Sequence, residues 1–490
     1  MSEQIKSFEE AVNGVYGDIL SPENKKKDVK IGVITCGYFE YWRMYPENLE
    51  KNVKSDMLKI VDKLKAKYDN IVYPEFVDTL DSADRAGKKL AQEQVDMLIV
   101  IGGTYVADFI SLHAINHVKN VPLLLFSTQL EPKIDLNGDY EHSLRNSGII
   151  GIAQLTGTLR KMNRDYEIVV GSANDERAFK KIDSFIQASS AIATLNDSNI
   201  GIIGHVFRGM YDLELSKTFL KSKFGVNIIY IQSEHVLNEW ELVTEDEVSA
   251  KVEALKKRFK TRNVTENDMK NAVKLAIAMR NVAIKFRLDA MCFLDQHFLQ
   301  KQTKTTARMG ASLMMEENDI TVCSEGDICG LITMMLMRKL SGCHALMAEW
   351  GEFDVDKNSC LLMGHGIGVP QLAESDDKVT LTRTPEEWGF DGAGLNYELI
   401  LKPGPATISH IIETTGGYKM IVSPVESAKH ETLKYDELHA VATVKAPVRE
   451  YLETIFESGV THHCIIGHTD MSEALKLIAK MLDIECLYVE

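Results

Sequence analysis

Short apolar runs separated by amphipathic stretches fill the first part of the chain, and this alternation limits the folds that the chain can adopt. Residues 31–37, 95–103 and 121–126 are rich in valine, isoleucine and leucine, and the first two runs end in glycine. Short continuous apolar runs are typical of buried parallel strands. Residues 47–68 and 81–94, which lie between them, have the amphipathic pattern of helices. Strands that alternate with helices predict a doubly wound α/β domain.

This topology also predicts where the first domain binds a ligand. Open parallel sheets bind ligands beyond the carboxyl ends of their strands. Tyr38, Gly102, Gly103 and Gln129 each lie at or just after the end of an apolar segment. We therefore expect these residues to lie at one edge of the first sheet, where they would form a rim.

The rest of the chain predicts two further domains. At 490 residues, the chain is longer than one hydrophobic core usually serves. A new strand-and-helix pattern starts at residue 167, and residues 364–444 are rich in Thr, Val, Ile and Gly, as in mainly β structure. The sequence therefore predicts two doubly wound, Rossmann-like α/β domains, residues 1–165 and 166–345, followed by a mainly β C-terminal domain, residues 346–490.

Charge and hydropathy exclude several classes of function. The chain has 55 basic and 71 acidic residues, a net charge of −16, which opposes binding to nucleic acid or to an anionic membrane. No apolar run reaches the roughly 18 residues that a membrane-spanning helix needs. Residues 1–16 lack the pattern of a signal peptide, and the eight cysteines are scattered without a C-x-x-C pair. These features predict a cytoplasmic protein without a nucleic-acid or membrane partner.

Two carboxylates and two histidines in the C-terminal half are candidate metal ligands. Glu325 precedes a helical run, Glu349 lies among aromatic and acidic residues, His365 precedes a glycine-rich turn, and His463 enters an apolar strand. Each has an ordinary structural explanation by itself, namely a helix cap, a solvated loop or a structural histidine. Together they fit a site for Mn²⁺ or Co²⁺ better than a zinc site, which usually recruits thiolates or three histidines.

Six short segments, taken in their order along the chain, carry a further signal. The segments are Phe-Ser-Thr-Gln ending at Gln129, Glu-Gly-Asp starting at Glu325, Leu-Met-Ala-Glu ending at Glu349, Leu-Met-Gly-His ending at His365, Gly-Pro-Ala starting at Gly404, and Gly-Val-Thr-His-His ending at His463. In these segments and in their order the chain resembles the L-arabinose isomerases and, more broadly, the arabinose/fucose isomerase superfamily. The resemblance covers nearly the whole chain and is sharpest from residue 307 onward.

The resemblance implies a metal-dependent aldose–ketose isomerase that acts through a cis-enediol. It implies that Mn²⁺, or another divalent cation such as Co²⁺, is bound by Glu325, Glu349, His365 and His463, and that the two glutamates also serve as acid and base. His462 and His297 are then expected to hydrogen-bond to sugar hydroxyls.

The resemblance also implies a homo-oligomer, a trimer or a hexamer. Tyr38, Trp42 and Gln129 are substrate-binding candidates on the first domain, and in such an oligomer they would reach the site of a neighbouring subunit.

The choice of sugar and two other functions stay open at this point. Residues 350–353 and the loop 37–42 differ from those of the arabinose enzymes, so arabinose is not assumed to be the substrate. A metal-dependent hydrolase or lyase could use the same four ligands on a sugar derivative. A non-catalytic sugar-binding protein would fit the two N-terminal α/β domains, but it would need no such cation.

Overall fold

The computed structural model describes residues 29–196, 198–206, 209–293, 298–384, 394–431, 433 and 436–490. Contacts between residues divide the chain into two units, of which one ends at Ala193 and the other begins at Thr194. Each unit has its own sheets.

The first unit is built on a six-stranded parallel sheet. Its strands are β1 (Ile31–Cys36), β2 (Ile71–Val72), β3 (Phe76–Val77), β4 (Met97–Gly102), β5 (Leu123–Gln129) and β6 (Glu167–Ser172). The strand order is β2-β1-β4-β5-β6, and β3 also pairs with β1. Strands β1 and β4 are buried along their whole length. Both faces of these strands are covered, which explains why their sequences are continuously apolar rather than alternating.

Helices connect these strands. They are α1 (Phe39–Met44), α2 (Leu49–Lys65), α3 (Leu80–Gln92), α4 (Asp108–Ile115), α5 (Tyr140–Arg145), α6 (Gly148–Lys161) and α7 (Glu176–Leu195), with a 3₁₀ turn at Asn116–Val118. In the sheet, Cys36 pairs with Gly102 and Gly102 pairs with Ser127. The ends of β1, β4 and β5 therefore lie side by side, and the predicted rim positions share one edge of the sheet.

The sixth strand of this sheet begins just after residue 165, the predicted end of the first domain. Strand β6 pairs with β5 in parallel from Leu124–Glu167 to Gln129–Ser172, so the first sheet continues past residue 165. Ile168 and Val170 on this strand are exposed. β6 is an edge strand of the first sheet, and the domain bounds themselves stay a prediction.

The second unit contains a parallel sheet and an antiparallel sheet. Its strands are β7 (Asn199–Ile203), β8 (Asn227–Ile231), β9 (Lys260–Arg262), β10 (Ala290–Phe293), β11 (Thr321–Ser324), β12 (Leu346–Asp354), β13 (Ser359–Gly364), β14 (Thr380–Arg383), β15 (Leu395–Glu398), β16 (Gly404–Thr414), β17 (Gly417–Ser427), β18 (His439–Thr443), β19 (His463–His468) and β20 (Glu485–Tyr488). The order β11-β10-β7-β8 forms the parallel sheet. A small mixed sheet has the order β15-β14-β9.

The antiparallel sheet closes on itself. Its strands follow the order β16-β19-β12-β13-β18-β17, and β17 pairs again with β16. Closure pairs the backbone groups that a sheet edge would leave open. Strand β20 lies outside this ring, parallel to β17. The ring holds β12, β13 and β19 side by side, and these are the strands that carry three of the four predicted ligands.

Helices of the second unit lie between its strands. They are α8 (Lys217–Phe224), α9 (Ser233–Leu242), α10 (Glu245–Arg258), α11 (Glu266–Lys285), α12 (Phe298–Thr303), α13 (Arg308–Asn318), α14 (Ile328–Ser341), α15 (Val448–Glu457) and α16 (Ser472–Met481), with 3₁₀ turns at Tyr211–Leu213, Pro370–Leu372 and Asp376–Lys378. Parallel sheets with interleaved helices, followed by an antiparallel β-rich region, confirm the predicted fold class. Within the part of the chain that the structure describes, no helix combines the length and the apolar character needed to cross a bilayer.

Candidate metal centre and active site

Four separate elements of the second unit each supply one of the predicted ligands. Glu325 lies in the turn between β11 and α14, Glu349 lies in β12, His365 follows β13, and His463 is the first residue of β19. The pairing of β12 with its two neighbouring strands places Glu349 next to the other ligands on those strands. Glu349 pairs with His463 on one side and with Met363, two residues before His365, on the other.

The turn that carries Glu325 has an uncommon backbone conformation. Glu325 has a φ of 62° and the following Gly326 has a φ of 79°. A left-handed conformation costs a non-glycine residue roughly 1–2 kcal/mol. At Gly326 a Cβ atom would lie 2.7 Å from the Cα of Val206, so only glycine fits there without displacing backbone. This turn directs the Glu325 carboxylate toward the histidines instead of continuing into the helix.

The four side chains meet in one small volume. His365 Nε2 lies 3.4 Å from Glu349 Oε1, and His365 Nδ1 lies 3.8 Å from Glu325 Oε1. His463 Nε2 lies 3.2 Å from Glu325 Oε2. Donor atoms of Glu349, His365 and His463 all lie within 4.8 Å of one another. The structure thus brings together the four residues that the sequence analysis selected, and their role as ligands stays a prediction.

The donor set fits a divalent cation. The Nε2 atom of His365 is buried and has no hydrogen-bond partner among the described residues, although it faces the carboxylate of Glu349. A buried polar atom without a partner costs about 1–3 kcal/mol. Two carboxylates with two imidazoles are ligands that Mn²⁺ and Co²⁺ accept. A cation at this point would use the lone pair of His365 and the negative charge of both glutamates.

The two glutamates have opposite pKa shifts. Burial favours the neutral form of Glu325, but hydrogen bonds from His462 and His463 outweigh it and hold the pKa of this carboxyl well below its ordinary value. Burial, and then the negative charge of Glu325, raises the pKa of Glu349. The two neighbouring carboxyl groups therefore differ in how readily they take up a proton.

The histidines differ in the same way. Burial lowers the pKa of His365 to about 3, which keeps its imidazole neutral. Burial also opposes the charged form of His463, but hydrogen bonds to Asp327 and Glu325 outweigh it and raise the pKa of this histidine to about 10. The positive charge of His463 then compensates two buried carboxylates.

Asp327 positions His463 and was not predicted as a site residue. Its carboxylate is buried and caps α14 by accepting a hydrogen bond from the Gly330 amide at 2.7 Å. The same carboxylate lies 2.9 Å from His463 Nδ1 and 2.9 Å from His410 Nε2. Because Nδ1 of His463 is held in this way, its Nε2 atom points at Glu325. The Glu-Gly-Asp motif contains Asp327, but nothing in the sequence connects it with His410.

His462 also lies at the site. Its Nε2 atom is 3.6 Å from Glu325 Oε2, and its Nδ1 atom is 2.6 Å from Asp212 Oδ2. Asp212 belongs to the 3₁₀ turn Tyr211–Leu213, which the sequence analysis did not identify. The Asp212 contact fixes the orientation of the His462 ring, so its Nε2 faces the centre. The other histidine expected to bind sugar, His297, lies outside the described residues.

The rim residues belong to the first unit and make contacts there. Trp42 Nε1 donates a hydrogen bond to Asp78 Oδ2 at 3.0 Å. The ring of Tyr38 lies edge-on to Tyr105, at 5.4 Å between ring centroids. Gln129 ends β5 and donates from Nε2 to the Glu131 carbonyl at 2.6 Å. Their predicted role in binding sugar stays a prediction.

A cavity of about 500 Å³ adjoins the centre in the second unit. Its lining residues are Glu349, Trp350, Phe456, Val460, Thr461 and His462. The rings of Trp350 and Phe456 meet edge to face with their centroids 6.0 Å apart. Cavities of a few hundred Å³ with an apolar wall and a few polar groups are typical of small-molecule sites. This cavity includes one predicted ligand, Glu349, and one predicted sugar-binding residue, His462.

Comparison with known proteins finds relatives that are named as isomerases. No family model matches the chain. The sulfoquinovose isomerase of Priestia aryabhattai is 20% identical over 433 residues, which are 87% of this chain and 93% of the relative. The sulfoquinovose isomerase of Alkalicoccus urumqiensis is 20% identical over 372 residues, 76% of this chain and 81% of the relative. The L-arabinose isomerase of Shigella boydii serotype 18 is 20% identical over 397 residues, 76% of each chain.

The predicted resemblance to arabinose isomerase-like enzymes is confirmed. Both groups of relatives are isomerases, so the predicted enzyme class is confirmed as well. The names of the relatives contain two different sugars, sulfoquinovose and L-arabinose. The resemblance to arabinose isomerase-like enzymes therefore does not determine the sugar of this chain, in agreement with the departures noted in residues 37–42 and 350–353.

Proposed function

We propose that this chain is a metal-dependent isomerase that interconverts an aldose and its 2-ketose through a cis-enediol. The observation that supports the proposal best is the meeting of Glu325, Glu349, His365 and His463, from four separate elements, around a buried histidine nitrogen that has no other partner in the described residues. The sugar isomerase relatives support the same reaction.

The four residues would hold Mn²⁺ or a similar divalent cation such as Co²⁺. When bound, the cation supplies Lewis acidity at the sugar carbonyl and offsets the negative charge that develops there. His365 is suited to this role because it is neutral, and a ligating imidazole must be neutral. His463 would lose its proton when it becomes a ligand.

The two glutamates would move the protons of the reaction. One carboxylate removes the proton from C2 of the open-chain aldose, the electrons of that bond form the C1–C2 double bond, and O1 gains a proton. The resulting cis-enediol then receives a proton at C1 and loses the proton of its O2 hydroxyl, which gives the ketose without any redox cofactor. General acid–base catalysis of this kind contributes about 10²–10⁴-fold to the rate.

The neighbouring residues would orient the sugar and exclude water. His462 Nε2 faces the centre, 3.6 Å from Glu325 Oε2, and we propose that it hydrogen-bonds to a sugar hydroxyl there. The aromatic wall of Trp350 and Phe456 would contact the apolar C–H face of the ring or chain. His297 remains a candidate for a second hydroxyl contact.

The first experiment tests the reaction and the metal together. We expect the purified protein to convert an aldose to its ketose in D₂O, with deuterium incorporated at C1 of the ketose, because the carboxylate exchanges its proton with solvent. Sulfoquinovose and L-arabinose are the first substrates to try. A chelator should abolish the conversion, and Mn²⁺ or Co²⁺ should restore it, as measured by NMR spectroscopy.

Three results would contradict parts of this proposal. Full activity in exhaustively chelated protein would exclude the metal. Conversion without deuterium incorporation would exclude exchangeable proton transfer by the glutamates. Tight binding of a sugar without any conversion would favour a sugar-binding protein, whereas release of a leaving group would favour a hydrolase or lyase.

A further prediction concerns Asp327 as a positioning residue. In Asp327→Asn the side chain still caps α14, but it loses the charge that holds the Nδ1–H group of His463. Replacing such supporting groups typically weakens metal binding about 10–100-fold. We expect the Kd for Mn²⁺ to rise by that factor, with much of the rate recovered at saturating Mn²⁺. An unchanged Kd, measured by calorimetry, would show that Asp327 only caps the helix.

A further inference from the structure

A second group of metal-binding side chains lies in the first unit. Asp84 projects from α3, His113 from α4, and His117 from the 3₁₀ turn Asn116–Val118 that follows it. Asp84 Oδ1 is 3.4 Å from His113 Nε2 and 3.3 Å from His117 Nε2. The three donor atoms all lie within 4.8 Å of one another. Nothing in the proposed isomerase reaction uses these residues.

The two distances from Asp84 are those expected for two ligands of a tetrahedral cation. A zinc ion binds histidine nitrogen and carboxylate oxygen at about 2.0–2.1 Å, so two donors of one tetrahedron are about 3.3–3.4 Å apart. An ordinary N–H···O hydrogen bond is shorter, at about 2.9 Å. The separations at Asp84 therefore suit donors that share one cation. His113 and His117 are four residues apart and so lie on one face of their helical segment.

The surrounding residues hold the group in place. Gly87 lies one turn after Asp84 on α3, and a Cβ atom there would come 2.3 Å from Cδ2 of His117. The absence of a side chain at Gly87 lets the His117 ring lie directly against α3. Lys88 Nζ binds the other carboxylate oxygen of Asp84 at 2.6 Å, which leaves Oδ1 facing the histidines.

The exposure of the group leaves room for a water ligand. The side chains of Asp84, His113 and His117 are 34%, 45% and 26% exposed, so solvent reaches the point between them. Three protein ligands plus one water is a common four-coordinate arrangement of zinc. Two imidazoles with one carboxylate also suit Zn²⁺ better than Mn²⁺, which prefers oxygen ligands.

We propose that Asp84, His113 and His117 form a three-ligand site for Zn²⁺ on the surface of the first unit. The bound ion would link α3 to the segment formed by α4 and its 3₁₀ turn. Because an ion that binds only the folded state stabilises it, the site would raise the melting temperature of the protein in the presence of Zn²⁺.

Zinc titrations of the full-length protein test this site. We expect His113→Ala, His117→Ala and Asp84→Asn each to raise the Kd of one Zn²⁺ site at least about tenfold. Loss of a ligand should weaken binding no less than loss of a residue that supports a ligand. The matched control is His142→Ala, which removes a histidine of the same unit that contacts Asn146 instead. Calorimetry gives the number of sites and their Kd, and circular dichroism checks the fold.

The titrations separate this site from the proposed isomerase centre. Loss of one Zn²⁺ equivalent in the three variants, with wild-type binding in His142→Ala, supports the proposal. Variants that are folded but bind the same number of zinc ions with the same Kd as the wild type would overturn it. If one of these variants does not fold, His117→Gln takes its place, because glutamine keeps a polar side chain of similar length but lacks the imidazole nitrogen. The same two outcomes then support or overturn the proposal. Mn²⁺-dependent turnover of these variants reports on the isomerase centre independently.

Discussion

Replacing either Glu325 or Glu349 by glutamine should reduce turnover by at least about 10²–10⁴-fold, because each change removes a carboxylate proposed to transfer protons. Glutamine has nearly the same shape, so the fold should persist. The change also removes one negative charge from the proposed cation site. Turnover at saturating Mn²⁺ measures the loss of proton transfer, and the Mn²⁺ titration measures the loss of the ligand separately.

A matched control for these variants lies on the same strand. Glu352 belongs to β12, as Glu349 does, but its side chain is exposed to solvent. Glu352→Gln should therefore turn over at nearly the wild-type rate. Near-normal turnover in Glu325→Gln or Glu349→Gln would remove that residue from the acid–base role. If only one of the two were essential, a single carboxylate would have to carry the proton from C2 to C1.

Much of the fold could be predicted because burial leaves a simple pattern in parallel strands. Every residue of β1 and β4 is buried, and a continuous apolar run records that fact directly. The closed antiparallel ring was harder to predict. Its closing pair, β16 with β17, is a local hairpin, but β12 pairs with β19 between residues more than a hundred positions apart, as Glu349 does with His463. Only the general β character of that region was visible in the sequence.

The candidate ligands could be chosen from the sequence because each stands at the end of an apolar element. Their supporting residues could not be chosen in the same way. Asp327 contacts His410, 83 residues away, and His463, 136 residues away, and Asp212 contacts His462 across 250 residues. A helix cap such as Asp327 has an ordinary explanation in the sequence. The contacts of Asp327 with His410 and His463 become evident only in the folded structure, where β16 and β19 bring these histidines to it.

The positions of the rim residues and of the ligands bear on how the chain assembles. The proposed ligands all belong to the second unit, whereas Tyr38, Trp42 and Gln129 belong to the first. We propose, from the resemblance to sugar isomerases, that the chain forms a closed trimer, or a hexamer of two trimers, in which one subunit's rim covers the centre of its neighbour. Heterologous contacts of this type close into rings. A cytoplasmic location likewise stays a prediction.

Mixing two inactive variants tests this arrangement. We expect Gln129→Ala and His463→Ala to be nearly inactive alone, the first because it lacks a rim contact and the second because it lacks a ligand. After dissociation and reassembly of an equal mixture, about a quarter of the sites in a ring should combine an intact rim with an intact centre. Recovery of about a quarter of the wild-type turnover is therefore the expected result, with oligomer size measured by light scattering. A fully active monomer would contradict the shared site. If both single variants are inactive, mixed oligomers that do not recover activity would contradict it as well.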